Sequence, residues 1–117
     1  FRPDLVVEHV TTADEGFDRL RTQNYEFVIA DMLMSPVSGL EIAEIIKRNP
    51  KIFGTPAIAL FSVFDVQDFE EYITKELKVH FINLVGKTFW EIYAEFDSFI
   101  SAYVFELELQ KMVWVGE

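Results

Sequence analysis

Apolar positions along the chain fall into two alternating kinds of segment. Four short runs, at 5–10, 27–30, 57–61 and 79–85, are mostly continuous rather than alternating. Strands covered on both faces read this way, because neither face meets water. Between the runs, apolar residues recur every three or four positions. Phe17 and Leu20 share a face within 13–23; Leu40, Ala43 and Ile46 do so within 40–48; Val66, Phe69, Ile73 and Leu77 do so within 66–77. That period predicts amphipathic helices. Thr12-Ala13-Asp14-Glu15, Ser38-Gly39-Leu40-Glu41 and Thr88-Phe89-Trp90-Glu91 match the capping-box pattern at helix starts. Asp65 is placed to cap the third helix. Asn49-Pro50 and Gly54-Thr55-Pro56 punctuate the loop before the third run.

The resulting order, β-α-β-α-β-α-β-α, predicts an α/β domain. Its sheet is parallel, with right-handed crossovers and helices on both faces. A final helix over about 89–110 carries two apolar stripes. Ile92, Phe96, Phe99 and Tyr103 form one; Tyr93, Ile100, Val104 and Leu107 form the other. One stripe suits the sheet and the other needs a second partner, so part of that helix is expected to be an interface, with a homodimer as one arrangement. Residues 111–117 read as a short fifth strand. No repeat or linker divides the chain, and residues 1–117 are expected to form a single domain.

Composition narrows the partners. Half of the 117 residues are apolar and 15% are aromatic, enough for a core without covalent staples. There is no cysteine, which excludes disulfides and thiolate metal sites. The net charge of −10 repels phosphate backbones, so direct nucleic-acid binding is not expected. No run is long enough to span a membrane. Phe1-Arg2-Pro3-Asp4 is neither an initiator methionine nor a signal peptide, and the chain is expected to be a fragment of a longer parent or engineered.

In open parallel sheets, ligands bind beyond the carboxyl ends of the strands. The second run ends in Asp31, the third in Ser62, and the fourth leads through Gly86 to Lys87. A carboxylate, a hydroxyl and an ammonium are thus expected at one sheet edge. The trio suits phosphoryl transfer to a carboxylate: Asp31 as nucleophile, Ser62 as donor to a phosphoryl oxygen, Lys87 as counter-charge.

FVIADMLMSPVSGLEIAEIIKR resembles the phosphoacceptor segment of bacterial response-regulator receiver domains. TPAIALFS resembles the next strand with its Ser/Thr, and FINLVGKTF the last strand with its lysine. The resemblance covers about 5–109. It implies a flavodoxin-like (CheY-like) fold and a cytoplasmic two-component signalling role. In that role Asp31 takes a phosphoryl group from a histidine kinase or phosphotransfer protein. It further implies that Ser62 follows the phosphoryl group, that Lys87 pairs with it, and that a Mg2+ ion is held by Asp31 and the Leu33 carbonyl.

Departures from the family pattern are visible. The chain opens at what looks like the family's second strand, so the first β-α unit and its acidic pair are missing. Thr88 replaces the proline after the lysine, Pro36 sits one place late, and Leu84 stands at the aromatic switch position. Met112–Val115 followed by Gly116-Glu117 resembles the first receiver strand with a reduced acidic end. Docked in the vacant central slot, it would aim Glu117 at Asp31 as a further Mg2+ ligand, a partial circular permutation. A strand swapped from a second chain, or a helix running on towards an output domain, would also meet the need.

A phosphorylation-independent protein-interaction module is the main alternative. An enzyme is not expected: haloacid-dehalogenase-like phosphatases need a second aspartate where this chain has Leu33. A flavin site is disfavoured by the acidic junction Thr11-Thr12-Ala13-Asp14-Glu15. His9 and His80 read as ordinary strand residues. Met32 and Met34 read as loop or core fillers, and Glu70, Glu71 and Glu76 as a solvated helix face.

Overall fold

A computed structural model describes residues 5–64, 67–103 and 110–116. Its elements are β1 (Leu5–Val10), α1 (Ala13–Thr22), β2 (Phe27–Asp31), α2 (Gly39–Arg48), α3 (Pro50–Phe53), β3 (Ala57–Ser62), α4 (Gln67–Glu71) continued by a π-helical turn (Tyr72–Glu76), β4 (His80–Asn83), α5 (Phe89–Ser101) and β5 (Gln110–Val115). The strands form one five-stranded sheet in the order β1-β5-β2-β3-β4, with every neighbouring pair parallel. This α/β arrangement is compatible with a flavodoxin-like fold. The last strand in the chain lies at the inside of the sheet, between β1 and β2. Ile29 pairs with Trp114 on one side of β2 and with Ala59 on the other.

Odd and even positions of β2 serve different layers, because successive strand side chains alternate between faces. Val28 and Ala30 join Leu60, Val113 and Val115 on one face. That face is roofed by Phe17 and Leu20 of α1, Ile42 and Ile46 of α2, Phe53 of α3 and Ile73 of the π turn. Phe27 and Ile29 join Ala59, Ile82 and Met112 on the other face. There the described helical cover is Phe99 and Ile100 of α5, with Phe96 packed alongside.

Several boundaries differ from the sequence expectation. The last helix ends at Ser101, not near 110, because Gln110 already belongs to β5. Val104 and Leu107 of its second stripe lie outside the described residues, as do Asp65 and Val66. The loop before β3 contains the short helix α3, started by Pro50 with its φ preset for a first helical turn. Phe69 points to solvent while Ile73 of the same stripe is buried. One of the three capping patterns closes into a full box. Thr88 Oγ1 accepts from Glu91 N, and the Glu91 carboxylate accepts from Thr88 N. Thr12 and Ser38 cap with their hydroxyls alone on the backbone side, and Glu15 binds the threonine hydroxyls instead. β1 is not covered on both faces: it is an edge strand, and Val7 is 52% exposed.

Candidate functional site

Asp31 ends β2, and its neighbours fix its surroundings through the backbone. Met32 N donates to Phe61 O at 2.9 Å, extending the β2–β3 ladder past Asp31. The turn then folds back sharply onto α2. Gly39 N donates to Met32 O, and a Cβ on Gly39 would overlap the Asp31 carbonyl oxygen. Glycine is therefore what lets the start of α2 press against the end of β2. On the other flank, the end of β5 reaches the same place. A Cβ built on Gly116 would lie 3.7 Å from Asp31 Cβ. The half-buried Asp31 carboxylate accepts Leu33 N on Oδ1 at 3.1 Å, a local turn bond. Its other oxygen has no hydrogen-bond partner among the described residues.

Ser62 lies at the end of the adjacent strand β3, one position past Phe61, the register partner of Asp31. The residue is 1% exposed. Its hydroxyl accepts Phe64 N at 3.0 Å and is placed to donate to Phe64 O at 3.1 Å. The one proton of the hydroxyl is thus occupied locally. Donation to a new oxygen requires it to leave the Phe64 carbonyl.

Lys87 follows β4. Leu84 N donates to Ser62 O, and Gly86 adopts φ 69°, a left-handed turn that glycine makes at no steric cost. The Lys87 ammonium then meets Glu95, two turns into α5, at 2.8 and 2.9 Å. The pair is partly exposed. Glu91, on the same helix, has its carboxyl below the ordinary glutamate value because the Thr88 backbone and hydroxyl bond to it.

The fold thus brings the three expected residues to the carboxyl ends of β2, β3 and β4, in neighbouring strand positions. In this state each side chain is engaged locally rather than with the other two. The expected magnesium ligands are less complete. The Leu33 carbonyl belongs to the turn after Asp31, and Glu117 lies outside the described residues. Among the described residues, no group of three or more His, Cys, Asp or Glu stands close enough to hold a metal ion. Magnesium takes several oxygen ligands in near-octahedral geometry, so the described donors do not amount to its site.

Three participants escaped the sequence reading. Glu95 is one; its four-residue spacing from Glu91, on the helix face beside Lys87, was the available signal. His9 is another. Its ring stacks on Trp114 with centroids 4.0 Å apart, and its Nε2 lies 2.6 Å from Gly116 O. The edge strand is thereby tied to the end of β5 beside Asp31. Trp114 is the third: its buried indole Nε1 has no hydrogen-bond partner among the described residues and lies against Gly116.

No protein-family model matches the chain, and no curated protein matches it. Among the described residues, no helix is long and apolar enough to cross a membrane.

Proposed function

We propose that this chain is a receiver-type signalling domain of permuted connectivity that accepts a phosphoryl group on Asp31. The observation carrying this reading is the strand order. With β5 taken as the family's first strand, β1-β5-β2-β3-β4 becomes 2-1-3-4-5, the flavodoxin-like order. Asp31 then ends the central third strand, Ser62 ends the fourth, and Lys87 follows the fifth. On this reading β5 occupies the place of the receiver's first strand.

In the proposed reaction, a free Asp31 oxygen bonds to phosphorus as the P–N bond of a phosphohistidine breaks, and the imidazole of the kinase or phosphotransfer partner leaves. The new dianionic group would compete with Glu95 for Lys87 and with the Phe64 carbonyl for Ser62. Both exchanges couple Asp31 to elements that carry an outer surface: α5 through Glu95, and the β3–α4 loop through Phe64. The homodimer expected through the last helix would use Phe89, Trp90 and Tyr93, which are exposed on α5 and touch one another. Sedimentation of the wild type and of Trp90→Glu tests it: loss of a concentration-dependent dimer is expected, and a strict wild-type monomer discards it.

A second reading, a binding module that works without phosphorylation, is favoured by the Lys87–Glu95 pair and by Gly116 where receivers carry the first acid. Incubation with acetyl phosphate and Mg2+, read by intact mass, separates the two. The first reading expects an adduct of one phosphoryl group that is absent in Asp31→Asn. No adduct on the wild type leaves the binding module.

A further inference from the structure

The sheet edge opposite Asp31 holds a cavity of about 600 Å³ between the amino ends of the strands. Asn24, Phe53, Thr55, Tyr103, Lys47 and Lys78 help to line it. A second cavity shares Asn24, Phe53 and Gly54 with it and is bordered by Lys51. The charges here differ from those on the rest of the molecule. Arg19 and Lys111 face Glu8, Arg21 faces Asp18, Arg48 faces Glu44, Lys75 faces Glu71, and Lys87 faces Glu95. Lys47, Lys51 and Lys78 take part in no ion pair among the described residues. That is unexpected in a chain with 20 acidic and 10 basic residues. Among the described residues, the cations without an ion-pair partner border these two cavities.

Lys78 adds a second, independent observation. Among described residues other than glycine, it alone has a positive φ, 58°. It follows the π turn, where Leu77 N donates to Tyr72 O and Val79 N to Ile73 O. Such helix ends are ordinarily closed by glycine, because a side chain in the left-handed region is strained. A lysine is held there at a cost to the backbone, and it stands at the rim of the cavity. Strain of this kind concentrates at binding sites.

We propose that this cavity binds a small phosphate ester, with its clustered charges between Lys47 and Lys78 and a flat ring against Tyr103. Ammonium groups act as compact point charges, which suit phosphate better than the fork-shaped pairing of arginine with carboxylate. The Asn24 amide and the Thr55 hydroxyl add neutral donors. Glu26 also lines the cavity, and its carboxylate accepts Lys111 N at 2.9 Å. The site is separate from Asp31 and stands whether or not Asp31 is phosphorylated.

The test is a titration of the whole chain with ADP and with pyrophosphate at low ionic strength, followed by NMR. ADP is expected to shift the Asn24, Thr55 and Lys78 amides saturably and to bind more tightly than pyrophosphate. Lys78→Gly is expected to weaken ADP about tenfold, the loss of one good charged contact. The same change should raise the melting temperature of the free protein by relieving the left-handed lysine, so weaker binding will not reflect a damaged fold. The proposal is overturned if neither probe gives a saturable shift, or if ADP binds no more tightly than pyrophosphate. It is equally overturned if Lys78→Gly and Lys47→Ala both leave ADP affinity unchanged.

Discussion

The two faces of the sheet are built to different degrees of closure. One is roofed by α1, α2, α3 and the π turn, and its strand residues Val28, Ala30, Leu60 and Val113 are fully buried. The other carries α5 over β2, β3 and β4. Five strands about 4.8 Å apart are roughly 19 Å across, and a helix with its side chains is about 10 Å wide. Among the described residues one helix crosses this face, and it covers about half of it. The remainder is an apolar groove of about 310 Å³ between α5 and the β1–β5 side, lined by residues including Val7, Tyr93, Phe96 and Met112. Parallel sheets are normally covered on both sides. The closed face supplies the packing that holds the fold, while the other face leaves apolar surface beside the edge strand β1.

The comparison is sharpest for a core truncation. Ile46→Ala on the closed face, where the side chain is 1% exposed, should cost about 3 kcal/mol in urea unfolding. An equal cost for Val7→Ala on the half-closed face would erase the distinction. Gly39→Ala comes next. The added methyl meets backbone at the end of β2, where no side chain can yield, so a loss of about 2 kcal/mol is expected, with the Asp31 and Met32 amides shifted by NMR. Thr88→Ala opens the capping box that starts α5 and should cost about 1 kcal/mol by thermal melting. Val7→Ala itself should fall within about 0.5 kcal/mol of wild type.

Acid provides a further probe of the closed side. Glu8 accepts from Tyr25 OH at 2.6 Å and from Arg19 at 2.5 Å, linking β1 to α1 and to the start of β2. The Tyr25 hydrogen bond is the main cause holding the Glu8 carboxyl below its ordinary value, against a partial rise from burial. The unfolded chain therefore binds this proton at higher pH than the folded one does. The stabilisation is complete above the ordinary glutamate range and is lost as pH falls through it and through the depressed folded value. Tyr25→Phe should raise the Glu8 pKa in an NMR titration and narrow that acid-sensitive window; an unmoved titration would remove Tyr25 as the cause.

Much of this architecture was legible along the chain because strands and helices bury different periodicities. Residues 5–10 were read as a strand to the residue, and Asp31 was placed at a strand end from the apolar run before it. The sheet edge that gathers Asp31, Ser62 and Lys87 followed from parallel connectivity alone. The engagement of Lys87 by Glu95 did not, since it depends on the Gly86 turn and on how α5 lies across the sheet. The π turn was hidden as well: the stripe through Phe69 and Ile73 fits an ordinary helix, and one inserted residue per turn leaves little trace in such a pattern.

What the sequence determined by itself is local: which segments are extended, which are helical, and which polar residue each strand delivers to its end. These follow from side-chain spacing and capping, and act over a few residues. Which strand lies between β1 and β2 was decided by tertiary structure. Met112–Val115 had several outlets open to it, and only packing between β1 and β2 buries Val113 and Val115 while satisfying backbone groups on both sides of the strand. Among the described residues, tertiary structure likewise decided that more helices cross one sheet face than the other, because cover depends on how many helices cross a face and not on how apolar each one is.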